Sequence, residues 1–251
     1  MTERSSTPDP GRAGPIRLSV VIPAYNEESR VAPTLRSVAG FLAAREGGFE
    51  ILVVDDGSRD ATARAAREAG VPLRILVLAA NRGKGAAVRE GILAARGERI
   101  LFSDADLSTP IEDLPRLERA LDQGAAVAFG SRSVPGSEVL LRQPLYRQTM
   151  GKVFNLFVRA LVLPGVIDSQ CGFKLFEGRA AREIFARQRL RGFSFDVEVL
   201  FLARRLGFGL AEVPVRWTNS PASRVHPVRD SVRMLRDLLR VRWYAWRGEY
   251  D

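Results

Sequence analysis

The chain has 251 residues, enough for one large α/β domain with a substantial core, and its 46% hydrophobic and 27% charged content excludes a disordered or fibrous polypeptide. A formal charge of +9 favours an anionic partner such as nucleic acid, an acidic lipid surface or a phosphorylated substrate. It equally fits a compositional bias, because the only lysines are Lys84, Lys152 and Lys174 and arginine supplies the rest of the 38 cations. One cysteine excludes an internal disulfide, and no apolar run reaches the roughly 18 residues that a membrane-spanning helix needs.

Residues 1–16 are polar and rich in Pro and Gly, and they read as a flexible tail without a signal peptide, which points to the cytosol. From Leu18 the pattern alternates in type. "LSVVIPAY" reads as a strand ended by Pro23, residues 29–45 as an amphipathic helix, "EILVVDDGS" as a second strand, and "DATARAAREAG" as a helix closed by Gly70. "LRILVLAAN", "KGAAVREGILAARG" and "RILFSDAD" continue the alternation. Near-continuous apolar strands between amphipathic helices indicate an α/β fold, a mostly parallel sheet covered on both faces. Val127–Gly130 reads as another strand, followed by a basic loop region and the apolar segment Val153–Val166. "DSQCGFKLF" then reads as a strand or turn, "GRAAREIFARQ" and "FDVEVLFLARRLG" as helices, and "GLAEVPVRWTN" as a strand. The C-terminal segment is basic and amphipathic, with Val228, Val232, Leu235 and Leu239 forming its apolar stripe. Residues 17–251 are expected to form a single domain.

In such sheets ligands bind at the carboxyl ends of the strands. Those ends carry the unusual residues: Pro23 to Glu27, Asp55-Asp56-Gly57-Ser58, Asn81-Arg82-Gly83-Lys84-Gly85, and Asp104-Ala105-Asp106. Each alone fits a helix cap, as Asp60 does before its helix and Ser108 or Thr109 before Pro110. Side chains two apart on an extended segment point the same way, so Asp104 and Asp106 can offer oxygens to one hard cation, Mg²⁺ or Mn²⁺. A solvated turn is the other reading of a D-x-D. Lys84, between two glycines at a helix start, can meet phosphate with its ammonium and with the helix amides. The spacing is neither a P-loop nor a dinucleotide fingerprint.

"VVIPAYNE", "VVDDGSRD", "NRGKGAAVREG", "DADLS", "GSR" and "DSQCGFKLF", in this order, resemble the inverting glycosyltransferases of family 2, and within them the dolichyl- or polyprenyl-phosphate β-glucosyltransferases. The resemblance spans residues 18 to about 244 and includes "FSFDVEVLFLA" and "EVPVRWTN". It implies a GT-A fold, a nucleotide-sugar donor such as UDP-glucose, a divalent metal, and a polyprenyl phosphate acceptor met at the cytoplasmic face of a membrane. Carried onto this sequence, it assigns Pro23, Tyr25 and Glu27 to the nucleoside and Asp56 to the base. Lys84 falls near the diphosphate, and Asp104, Ala105 and Asp106 near ribose, metal and diphosphate. Arg132 and Arg147 match acceptor-phosphate positions, and Arg224 a residue closing over the donor. Ser108 stands where mannosyl synthases carry Gln, which disfavours mannose, and Gly151 stands where they can carry Ser. A soluble acceptor remains the alternative. A nucleic-acid-binding module is disfavoured because Asp55, Asp56, Asp104 and Asp106 crowd the ligand edge and would repel a phosphate backbone.

Other reactive types have plainer readings. His226 sits in a loop without partners in sequence, and Cys171 reads as a small buried residue. Asp196 and Glu198 diverge on a helix, so that Asp196 either has a structural or helix-capping role or joins the site. Asp168 either orients the acceptor loop or caps a turn. Trp217, Trp243, Tyr244 and Trp246 read as core or membrane-border aromatics.

Overall fold

A computed structural model describes residues 15–141, 144–219 and 227–251, without the side chains of 147 and 227–231. The expected tail, Arg224 and His226 lie outside these residues.

Nine strands and eight α-helices follow in chain order: β1 Ile16–Ala24, α1 Val31–Ala43, β2 Gly48–Asp55, α2 Thr62–Arg67, β3 Arg74–Val77, α3 Lys84–Ala94, β4 Arg99–Ser103, α4 Leu114–Asp122, β5 Val127–Ser131, β6 Glu138–Leu141, α5 Leu145–Leu161, β7 Phe173–Glu177, α6 Gly178–Arg187, α7 Phe195–Arg205, β8 Leu210–Pro214, β9 Arg216–Thr218 and α8 Pro227–Trp246, counted among the described residues. Seven strands form one sheet in the order β3-β2-β1-β4-β7-β5-β8. All its pairings are parallel except those of β7, which runs antiparallel to both β4 and β5.

Alternation along each strand sends side chains to opposite faces, which is why both faces can be apolar. Val21, Leu52, Val54, Ile100, Phe102 and Phe129 pack under α3, α5, α6, α7 and α8. Val20, Ile22, Ile51, Val53, Leu101 and Leu175 pack under α1, α2 and α4.

The reversed β7 positions the site. Its register pairs Phe173 with Ser103, so the start of β7 adjoins the end of β4. The parallel neighbours bring their carboxyl ends to that same edge. β6 and β9 form a separate two-stranded ribbon, Glu138 opposite Arg216 and Leu141 opposite Thr218. It is tied to the main sheet's edge by the Thr218 amide donating to the Ser108 carbonyl at 2.8 Å. The buried Asp113 accepts from the Arg216 amide at 2.6 Å and pairs with its guanidinium at 2.8 Å.

Two helices leave apolar residues outside the core. On α8 the core-facing residues are Met234, Leu238 and Val241, and of the expected stripe Leu235 packs half-buried against the same core while Val232 and Leu239 are 64% and 60% exposed. The arginine-rich helix offers two apolar lines, and the one that meets the buried α5 residues Phe154 and Val158 wins the core. On α5 itself Leu156 and Phe157 face outward with Val153 and Leu161. Among the described residues no helix is long and apolar enough to cross a membrane.

Candidate active site

The β1 and β2 ends are stitched together before any ligand is considered. Asn26 takes a left-handed φ of 52°, its amide donates to Ser58 Oγ at 2.8 Å, and its side-chain carbonyl accepts the Arg59 amide at 2.7 Å. The Glu27 amide donates to Thr62 Oγ1 at 2.7 Å, and the Glu27 carboxylate pairs with Arg30 at 2.6 Å. Pro23 is buried, and Tyr25 and Glu27 are half-buried along this rim. Asp60 accepts the Thr62 amide at 3.0 Å, but the N-cap of α2 is Ala61 and not the expected Asp60. Neither Ser108 nor Thr109 caps: the turn at Ile111–Asp113 has Pro110 at its head without a side-chain cap.

Asp56 fixes the next loop. Its two oxygens accept the Arg82 and Gly83 amides, each at 2.8 Å. Burial pushes its carboxyl above the usual 3.8, against the pull of those amides and of Arg82. Gly83 has φ 99°, and a side chain there would meet the Arg191 carbonyl at 2.4 Å. The Ala86 amide donates to that same carbonyl at 3.3 Å, and Gln188 Nε2 donates to the Gly85 carbonyl at 3.0 Å. The 188–191 segment thus covers part of the α3 N-terminus. Of the groups the sequence suggested, the Ala86 amide is taken by this segment, while the Lys84 ammonium is turned toward Asp104.

That ammonium lies 2.7 Å from Asp104 Oδ1 and over the Phe102 ring, 5.3 Å from its centroid. Burial opposes the charge, but Asp104, Asp196 and Asp106 outweigh it and hold the lysine above its usual 10.5. Asp104 is raised from 3.8 by its own burial and by Asp106, against Lys84. The two aspartates are not extended, contrary to the expectation from strand alternation. β4 ends at Ser103, the Leu107 amide turns back to the Asp104 carbonyl at 3.3 Å, Leu107 has φ 45°, and Asp106 Oδ1 accepts the Ser108 amide at 3.0 Å. A tight turn therefore carries both carboxylates, near enough for the Asp106 charge to raise Asp104.

The floor of the site comes from β7 and α7. The Asp104 amide donates to the Gly172 carbonyl at 3.0 Å, and a Cβ on Gly172 would lie 1.9 Å from Asp104 Oδ2. Only glycine leaves room for that carboxylate. Lys174, fully buried, donates to the Cys171 carbonyl and to Asp196 Oδ1, both at 2.6 Å. Asp196 is therefore an ion-pair partner beneath the site and not a helix cap. Glu198 points elsewhere, accepting the Leu190 amide at 2.8 Å and the Tyr250 hydroxyl at 2.6 Å. Lys174 went unnoticed in the sequence because its role depends on the antiparallel register of β7. The signal available was a lysine inside an otherwise apolar strand.

On the far side Arg132 forks onto Asp168, Nε to Oδ2 at 2.6 Å and Nη2 to Oδ1 at 2.7 Å, with its amide on Oδ2 at 3.0 Å. Its guanidinium lies over Trp217 at 5.3 Å. Glu212 accepts the Ile167 and Asp168 amides at 2.9 and 2.7 Å and so fixes the loop. Asp168 thus holds Arg132 and also caps its own turn, its Oδ1 accepting the Gln170 amide at 3.3 Å, and this edge of the Arg132 fork is taken. Burial works against the Asp168 charge, but Arg132 outweighs it and lowers the carboxyl below 3.8. Cys171 is buried and inert, its thiol pushed up to about 11 by burial. Arg147 belongs to the first turn of α5, and its side chain is outside the described ones.

The donor set suits a hard cation. Among the described residues no group of three or more His, Cys, Asp or Glu side chains could hold a metal. Two carboxylates in one turn match Mg²⁺ or Mn²⁺, whose remaining ligands would be water and substrate phosphate.

The model of the family described as "Glycosyl transferase family 2" matches residues 19–185. The chain is 37% identical to the dolichyl-phosphate beta-glucosyltransferase of Dictyostelium discoideum, over 91% of this chain and 74% of that protein. It is 36% identical to the human protein of the same name, over 93% of this chain and 78% of that one. Among solved structures, glucosyl-3-phosphoglycerate synthase from Mycobacterium tuberculosis, in complex with Mn²⁺, UDP and glucosyl-3-phosphoglycerate, superposes with a TM-score of 0.66. It is 22% identical and covers 90% of this chain and 78% of that one. The mixed sheet is thus a GT-A fold, and this chain is an enzyme belonging to glycosyl transferase family 2.

Proposed function

We propose that the enzyme transfers glucose from UDP-glucose to a dolichyl-type polyprenyl phosphate with inversion at the anomeric carbon, at the cytoplasmic surface of a membrane. One observation carries the reading: the Asp104–Asp106 turn and the Lys84 ammonium share one edge of the sheet, two acids for a cation and one cation for a diphosphate. The names of the relatives supply the acceptor and the sugar.

The chemistry follows from charge. A phosphate monoester is largely dianionic near pH 7, its second pKa being ~6. It can attack the anomeric carbon without a protein base. Its oxygen forms the new bond as the bond from that carbon to the diphosphate breaks on the opposite face, giving the β-linked product. The protein's task is to align two anions. Pro23, Tyr25, Glu27 and Asp56 line the nucleoside end, and Lys84 faces the departing diphosphate. Arg132, with Nε and Nη2 committed to Asp168, offers Nη1 to the acceptor, joined by Arg147. Arg224 is assigned to closure over the donor. A divalent cation held by Asp104 and Asp106 would screen charge developing on the leaving group.

The outward residues of α5 and α8, Leu156, Phe157, Leu161, Val232, Leu239 and Trp246, support the membrane reading, because arginines on the same helices suit anionic headgroups. The test is incubation of the protein and Mg²⁺ with UDP-glucose, GDP-mannose, a short polyprenyl phosphate and 3-phosphoglycerate, with products read by mass. Glucosyl polyprenyl phosphate from UDP-glucose is expected. Glucosylation of 3-phosphoglycerate alone would move the acceptor to a soluble one.

A further inference from the structure

One Asp104 oxygen is paired and the other is packed against backbone. Oδ1 meets the Lys84 ammonium at 2.7 Å, and Oδ2 lies so close to Gly172 that a Cβ there would stand 1.9 Å away. A divalent cation bonds carboxylate oxygen at about 2.1 Å. Placed on Oδ1 it would share one oxygen with the ammonium, two cations a few ångströms apart and partly shielded from water. A metal on Asp104 therefore competes with Lys84 for the same carboxylate. Of the other acids whose charge it feels, Asp106 would be taken by the same cation. Asp196, the next carboxylate whose charge it feels, is held by the buried Lys174 at 2.6 Å. The group that can take Lys84 over is an incoming diphosphate.

We propose that Lys84 is an internal counter-ion that occupies Asp104 in the donor-free enzyme and gives it up to a divalent cation only when a nucleoside diphosphate arrives to receive the ammonium. This rests on the reading of Asp104 and Asp106 as the cation-holding pair. Metal alone must break an ion pair without replacing it, whereas metal with diphosphate exchanges one pairing for two. Metal and nucleotide then bind with positive, reciprocal coupling that the lysine enforces. The pair also lets the donor-free protein keep two neighbouring aspartates without an external cation.

Free Mn²⁺ measured by electron paramagnetic resonance, titrated into the full chain with and without UDP, tests this. In the unaltered protein Mn²⁺ binds weakly alone and more tightly with UDP. In Lys84→Met, whose side chain keeps the packing on Phe102, nucleotide-free Mn²⁺ binds about fivefold tighter, the scale of a partly shielded ion pair. The gain from UDP shrinks by a similar factor. Mn²⁺ without UDP also raises the melting temperature of Lys84→Met more than that of the unaltered protein. Lys84→Gln reports the same quantities should the Met variant fold poorly. Unchanged or weaker nucleotide-free Mn²⁺ binding in these variants overturns the counter-ion role while leaving the cation pair standing. Absence of Mn²⁺ binding to the unaltered protein with UDP overturns both.

Discussion

Asp106 accepts the Ser108 amide through Oδ1, a bond that an asparagine carbonyl would keep. Asp106→Asn therefore removes charge and spares the turn. We expect transfer to fall by about 100-fold or more, the scale of losing one aimed electrostatic group, with an unchanged melting temperature. Steady-state kinetics beside a thermal melt check it, and an active, metal-dependent variant would contradict it. Gly172→Ala tests the same carboxylate from below, since its methyl needs the space of Asp104 Oδ2. Loss of activity should exceed loss of stability there. The residues at the strand ends were legible because charged groups directly after buried apolar runs break the pattern around them. Lys174 and Gly172 were not, because their partners are set by β7 reversing direction, and nothing local in "CGFKLF" encodes that. The extended geometry expected for Asp104 and Asp106 gave way to a turn, in which Leu107 takes a positive φ.

At the scale of elements, the loop before β7 is held to the end of β5 by one fork. Asp168 is buried and receives the Arg132 amide and guanidinium together. Asp168→Asn leaves a partly buried guanidinium without its counter-charge, and breaking such a pair from one side costs about 3 kcal/mol. Urea unfolding should show a lower midpoint with an unchanged slope. Alternation in type made the helix and strand order of the first hundred residues readable. The face of α8 was not, because its two apolar lines are equivalent until α5 is in place. The apolar residues left outside on α5 carry their own prediction. Leu156→Ser with Phe157→Ser, both exposed on α5, should weaken cosedimentation with anionic vesicles at low salt while the melting temperature holds. Equal binding by the variant would remove α5 from the membrane reading.

Across the whole molecule, charge sets two responses. With a net charge of +9, attachment to anionic vesicles should weaken as salt rises through a few tenths molar, and neutral vesicles should bind less. Failure to sediment with anionic lipid at low salt would contradict a peripheral attachment. Acid acts through the buried carboxylates. Asp168 and Glu50 are lowered from 3.8 and 4.5 in the folded state, so their contribution is present above those values and is lost as pH falls through the folded ones. Asp56 and Glu198 are raised and act with the opposite sign, their ionisation costing stability that acid restores. The urea midpoint should therefore hold through mild acid and fall only below about pH 4.

The most direct test of the central claim is a crystal of the enzyme soaked with Mn²⁺ and UDP-glucose, read by anomalous scattering. One manganese peak is predicted between the Asp104–Asp106 turn and the diphosphate, with Lys84 moved from Asp104 onto a phosphate oxygen. Manganese and nucleotide seated away from that turn, with Lys84 still on Asp104, would contradict it.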